Sequence, residues 1–232
     1  MQNVLYHFRF ADGHSASCAV DTDPVTDPAA LPDWTALEFQ QCANCPLQPG
    51  STPHCPMAVR FVPLVSMVGA LRSYDQVEVR VETPERTVSK DTTVQRGVGA
   101  LMGLLSASSA CPRVDFLRPM AHFHLPFASE EETIYRAAST YLLAQYFIER
   151  EGGIADWELD GLKANYLALQ TVNAGMAKRL KHAITGDGAI NAFLLLDLLA
   201  KVLPFSIDEQ LDEIKGKFRP AAAPEPPLDP PL

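Results

Sequence analysis

Nothing in this sequence is long and apolar enough to cross a bilayer. The most apolar run, AINAFLLLDLLAKVLPF, carries Asp197 and Lys201 and is cut by Pro204, which suits a buried core helix. The first residues, MQNVLYHFRFADG, have neither a basic lead nor an unbroken apolar run, so no secretion signal is expected and the protein is read as cytoplasmic. Basic charge is also scarce: 19 Lys and Arg stand against 28 Asp and Glu, a net charge of -9, with no long basic run. Neutralising phosphates needs cations, so neither nucleic acid nor membrane is an expected partner. A protein or small-molecule partner and the oligomeric state are left open.

The chain contains no GxGxxG, GxxxxGK, HExxH or GxSxG. The common dinucleotide, nucleotide, zinc-protease and serine-hydrolase routes therefore lack their residues. No repeat at solenoid spacing occurs. Cysteine is sparse too, five in 232 residues, and in a reducing compartment clustered thiols hold metal more often than they form disulfides.

What is present reads as an α+β fold. In residues 1–125, VLYHFRFADGHSASCAVD alternates apolar and polar positions around Asp12-Gly13 and predicts a hairpin. Val77, Val79 and Val81 alternate with Glu78, Arg80 and Glu82 before a TPER turn and predict another. WTALEF is expected to be a strand leading to the cysteines, and MAVRFVPLVSMVGAL a short helix interrupted at Pro63. A helix with Val94, Val98, Leu101 and Leu104 or Leu105 on one side follows, its Gly99 and Gly103 allowing close approach of another element. RVDFLRPMAHFHLPF is then expected to be an ordered, irregular connector.

Residues 126–219 predict about four packed helices that share a core with the first half. Ser129 with Glu132 has the spacing of a capping box. Asp160 is expected to cap a helix striped by Leu162, Tyr166, Leu169, Val172 and Met176. A third helix runs from about Asp187 to Pro204, and Ser206 with Glu209 starts a fourth. Lys178, Arg179, Lys181 and His182 read as a basic patch stabilising a helix C-terminus. Residues 220–232 are too rich in proline for helix or central strand and are expected to form a disordered, extended tail.

The chemistry-bearing segment is FQQCANCPLQPGSTPHCPMA. Cys42 and Cys45 form the CxxC pair whose spacing lets both sulfurs turn to one point, and Cys55 adds a third donor. Cys111 is the expected fourth, since Cys45, Cys55 and Cys111 are each followed by proline, which biases the preceding residue toward extended backbone. The leading expectation is a non-enzymatic metal-binding protein whose structural zinc is held by Cys42, Cys45, Cys55 and Cys111. An iron-sulfur cluster serving electron transfer or redox sensing is the alternative, because only one pair is tight. Packed reduced thiols, or a reversible Cys42–Cys45 disulfide, account for the same residues without metal. Cys18 is expected to be a buried apolar side chain.

His54 competes with Cys111 for the fourth position, although ligation by adjacent residues 54 and 55 is sterically demanding. His122 and His124 fall on one side of an extended segment. With Asp115 and Arg118 they suggest a pocket beside the metal, and with it a metalloenzyme having an open coordination position. Asp197 is expected to be ion-paired or at a helix edge.

The segments CANCPL, HCPMA, CPRVDFLRPMAHFHLPFAS and YLLAQYF resemble a set of uncharacterised bacterial proteins of similar length, over most of the chain apart from its tail. The resemblance implies that Cys42, Cys45, Cys55 and Cys111 act as one group and draws attention to Arg118, His122 and His124. It implies no activity.

Overall fold

The computed structural model describes residues 3–20, 31–68, 71–184 and 187–218; the Pro-rich 220–232 segment lies outside them. Two hairpins form one antiparallel sheet. Strands β1 (Val4–Phe10) and β2 (Ser15–Val20) are joined by a turn in which Gly13 takes a φ of 85° and the Asp12 carboxylate accepts the His14 N–H at 2.9 Å. Strands β3 (Gln76–Glu82) and β4 (Thr87–Thr93) complete the order β2-β1-β3-β4.

Period-two alternation decides which face is dry. Val4, Tyr6, Phe8 and Phe10 point inward beside Cys18, Val77, Val79 and Val81, with Tyr6 registered between Cys18 and Val81. The other face carries ion pairs, Arg9 with Glu78 and Arg80 with Glu82. Helices cover the inner face, so the fold is α+β, with the sheet in the N-terminal half and the long helices in the C-terminal half.

Helix α1 (Pro56–Val68) runs through Pro63, contrary to the expected interruption. Pro63 is exposed, on the side of the helix away from the buried Met57, Phe61, Leu64 and Val68, so its ring does not disturb the packed face. Helix α2 (Val94–Ala107) buries Val94, Val98, Leu101, Leu104 and Leu105. At Gly97 it lies so close to the sheet that an added Cβ would stand 2.7 Å from Val79 Cγ2. Gly99 and Gly103 do admit a neighbour: Cβ atoms there would meet the Ala192 carbonyl oxygen at 3.6 Å and Leu196 Cδ2 at 3.7 Å, both on the last helix.

WTALEF is not a strand. Asp33–Thr35 make one turn of 3-10 helix, closed by the Thr35 hydroxyl donating to the Pro32 carbonyl at 2.7 Å. Only Ala36 then pairs in β fashion, with His54. The carbonyls of Trp34, Ala36 and Leu37, which a strand partner would use, accept from Arg179 instead.

The proline-punctuated connector contains a 3-10 turn, Asp115–Leu117, and a five-residue helix α3 (Arg118–His122). Helix α4 (Glu130–Arg150) begins at the full Ser129/Glu132 capping box and stops at Gly152, φ 85°. Helix α5 (Asp160–Ala183) does not use Asp160 as its cap. Leu159 precedes it in the left-handed region, and the Asp156 carboxylate takes the free Gly161 N–H at 2.7 Å and the Tyr141 hydroxyl at 2.7 Å.

The expected third and fourth C-terminal helices are one helical run, α6 (Gly188–Lys215), bent by 81° between Ala189–Phe205 and Ile207–Lys215. Pro204 supplies a cause, since it removes one backbone donor and crowds the preceding turn. The Ser206 side chain, and with it the second capping box, lies outside the described atoms. Asp197 is buried and ion-paired with Lys201 at 2.5 Å. Among the described residues no single helix is long and apolar enough to cross a membrane.

Candidate functional site

One face of α5 builds the cysteine site. Residues at spacings of three and four share a helix face, and Ala168, Val172, Gly175 and Arg179 form such a stripe. Each holds the cysteine loop differently. The Ala168 carbonyl accepts the Asn44 side-chain amide at 2.8 Å, and the Val172 carbonyl lies 3.8 Å from Cys42 Sγ. Gly175 leaves room for the loop: a Cβ there would stand 2.8 Å from Cys42 Sγ and 3.3 Å from the Gln40 carbonyl oxygen.

Arg179, expected to belong to a basic patch stabilising a helix C-terminus, is 1% exposed. Its guanidinium donates to the carbonyls of Trp34, Ala36 and Leu37 at 2.7, 2.8 and 2.9 Å, and lies over the Phe39 ring, 5.9 Å from its centroid. Its Nε is buried without an acceptor. Burial weakens its hold on the proton, and the charges that restore it are those of Cys55, Cys42 and Cys45. A buried cation is costly unless an opposite charge accompanies it, and here the neighbouring groups able to become negative are thiols.

Cys55 lies immediately before α1, whose first residue is Pro56. Cys111 is buried at the end of α2, and the Arg113 backbone N–H acts on its sulfur. The Arg113 side chain donates to the Asn44 carbonyl at 2.6 Å. The segment after Cys111 is thereby tied to the loop between Cys42 and Cys45, while Arg60 of α1 ties to the Ser108 carbonyl at the end of α2.

All five cysteines are free thiols, so the Cys42–Cys45 disulfide is not formed here. Burial pushes the Cys42 thiol up to about 11, the charges of Cys55 and Cys45 add to this, and Arg179 and the residue's own N–H oppose it. Cys111 is pushed up to about 11 by burial, against the pull of the Arg113 N–H, with Cys55, Cys42 and Cys45 raising it further. Cys111 is thus within electrostatic reach of the other three. Among the described residues, no three His, Cys, Asp or Glu side chains stand in a set that could hold a metal ion as they are. The four sulfurs are neighbours without being preassembled around one point.

The remaining predicted residues have engagements of their own. His54 Nδ1 is engaged by the Thr35 hydroxyl at 2.9 Å, and its backbone pairs with Ala36, fixing the entry to Cys55. Asp115 and Arg118 pair with each other at 3.8 Å on the surface. The expectation that His122 and His124 share one side of an extended segment fails because α3 continues to His122. His122 is exposed and packs edge-on against Phe123. His124 is hydrogen-bonded through Nε2 to the Tyr6 hydroxyl at 2.6 Å, and burial, helped by Arg136, holds it down at about 4. Cys18 is buried on β2, as its strand position suggested. Sequence reasoning missed Asn44, Arg113, Gly175 and Arg179. For Arg179 the signal was its place seven residues after Val172 on the buried stripe.

A family model for a domain of unknown function, DUF6901, matches residues 4–219. The chain belongs to this family. The DUF6901 match extends from the first strand past the bent helix, so it includes both the cysteine loop and the α5 face that holds it. No curated protein and no solved structure matches the chain.

Proposed function

We propose that this DUF6901 protein is a metal-binding protein in which Cys42, Cys45, Cys55 and Cys111 hold a structural zinc ion. The ion would pin the 42–55 loop to the segment after α2 and to α5. The single observation supporting this is Arg179, a buried guanidinium whose countercharges are cysteines. With their protons on, the thiols offer it nothing, and the raised values of Cys42 and Cys111 keep them protonated near neutral pH. Four thiolates around a divalent ion leave an excess of negative charge and would give Arg179 its partner. Because the sulfurs are not yet gathered, binding would require their side chains to rotate inward, coupling metal uptake to ordering of the loop.

The second reading is an iron-sulfur cluster on the same residues. The observation favouring it is the spread of the sulfurs, close enough to influence one another but with no three drawn together for a single ion. A polynuclear centre spans a wider set of ligands.

Anaerobic purification followed by elemental analysis tests both readings. Near-stoichiometric zinc, lost together with thermal stability in Cys45→Ser, is the expected result. Iron with sulfide and a brown colour transfers the proposal to the cluster. Metal-free protein whose stability is unaffected by Cys45→Ser rejects both.

A further inference from the structure

A second feature lies away from the cysteines. A cavity of about 540 Å³ opens between α2, α5 and α6, roofed by the connector and the start of α4. That volume is in the range of small-molecule sites. Its walls are mostly apolar, including Leu104, Leu117, Leu169, Phe193 and Leu196, and among the described residues no acidic or cysteine side chain lines it. The bare backbone at Gly99 and Gly103 widens it on the α2 side.

Two of the polar side chains that line it are unspent. Tyr166 is 4% exposed and Asn173 5%, yet neither side chain has a hydrogen-bond partner among the described residues. Neither is among the fully enclosed side-chain atoms left without a partner, so both polar groups face the open cavity, where a ligand can reach them. Burial pushes the Tyr166 hydroxyl up, keeping it a neutral donor.

One end of the cavity is cationic. Arg136 donates to the Met120 and Phe123 carbonyls at 2.7 and 3.0 Å, and its charge acts on Tyr166. Lys90 stands over the Phe127 ring, 5.8 Å from the centroid. Arg136 and Lys90 both act on Glu132, which puts them at the same end. The Glu132 carboxylate is already committed to the Ser129 N–H at 2.7 Å, and neither cation is ion-paired among the described residues.

We propose that this cavity binds an amphipathic carboxylate, its apolar body between α2 and α6 and its anionic head at Arg136 and Lys90, with Tyr166 and Asn173 donating to its polar atoms. The geometry selects by charge at one end and by apolar fit along the rest. A cation of equal length is repelled and an alcohol gains only the apolar part.

Isothermal titration of the full chain with decanoate, decanol and decyltrimethylammonium, each below its micelle concentration, tests this. Decanoate is expected to bind one to one and at least tenfold more tightly than decanol, with no binding of the cation. Lys90→Gln, on the exposed rim, should weaken decanoate severalfold and leave decanol unchanged. Arg136→Gln should bring decanoate to the level of decanol, and Gly103→Leu, which fills the apolar part, should weaken both. Absence of decanoate binding, equal affinity for decanoate and decanol, or unchanged decanoate affinity in Lys90→Gln would each overturn the proposal. The Lys90 variant keeps the test decisive if Arg136→Gln loses its fold.

Discussion

Replacing Arg179 by methionine isolates what the buried cation does. The side chain keeps much of its volume but loses three charged hydrogen bonds, of 2.7, 2.8 and 2.9 Å, to the carbonyls of Trp34, Ala36 and Leu37. Hydrogen bonds to a charged group contribute roughly 1.5–3 kcal/mol each, and removing a buried unpaired charge recovers part of that loss. A net destabilisation of about 2–4 kcal/mol is therefore expected for the metal-free protein, read as a lower urea midpoint. Arg179→Lys keeps the charge but not the fork that reaches three carbonyls, so it should lose similar stability. Metal binding separates the two variants. If Arg179 balances an anionic cysteine centre, competition against a chromophoric chelator should show metal affinity falling at least tenfold in the methionine variant and only slightly in the lysine variant. Equal affinities for folded wild type and Arg179→Met would refute the reasoning.

Three further substitutions or conditions probe neighbouring parts of the structure. Gly175→Ala should lose about 1–3 kcal/mol through overpacking, because its Cβ would stand 2.8 Å from Cys42 Sγ. Its metal content at limiting zinc should fall as well, and unchanged content would show that α5 does not set the position of Cys42. Since His124 is held near 4 in the fold, it protonates more readily in the unfolded chain. Its contribution is complete above the unfolded value of about 6.5 and is lost as pH falls toward 4, at most about 3 kcal/mol. Urea midpoints for wild type and His124→Asn should therefore converge as pH falls over that window; a constant difference contradicts this. Ser129→Ala removes the side-chain acceptor of the α4 capping box and should cost about 1 kcal/mol, a fall in Tm of roughly 2–4 °C.

The elements that alternate or stripe cleanly were legible from sequence. Val77, Val79 and Val81 announce β3, the Ser129/Glu132 pair announces α4, and the apolar residues from Leu162 to Met176 announce α5. Each signal is local, and the structure follows it. Failures came where a distant residue supplied what a local rule assumed to be missing. WTALEF has strand composition, but Arg179 on α5 takes the carbonyls a neighbouring strand would need. Pro63 leaves α1 intact because it faces solvent, a fact fixed by packing elsewhere. Asp160 has the composition of a cap, yet Asp156 folds back and takes the amide of Gly161. In the candidate site, CxxC spacing and the Cys-Pro pairs singled out the thiols as candidates. The groups that hold them could not be read from that motif, because they lie about 130 residues away in sequence on a helix whose stripe looked purely apolar.

X-ray absorption at the metal edge, on anaerobically purified wild type and Cys111→Ser, measures the proposed convergence of sulfurs directly. The account predicts a first shell of sulfur alone in the wild type, at about 2.3 Å if the metal is zinc, with one sulfur replaced by a lighter atom in the variant. The same sulfur count in both proteins, or a wild-type shell dominated by nitrogen or oxygen, would contradict it.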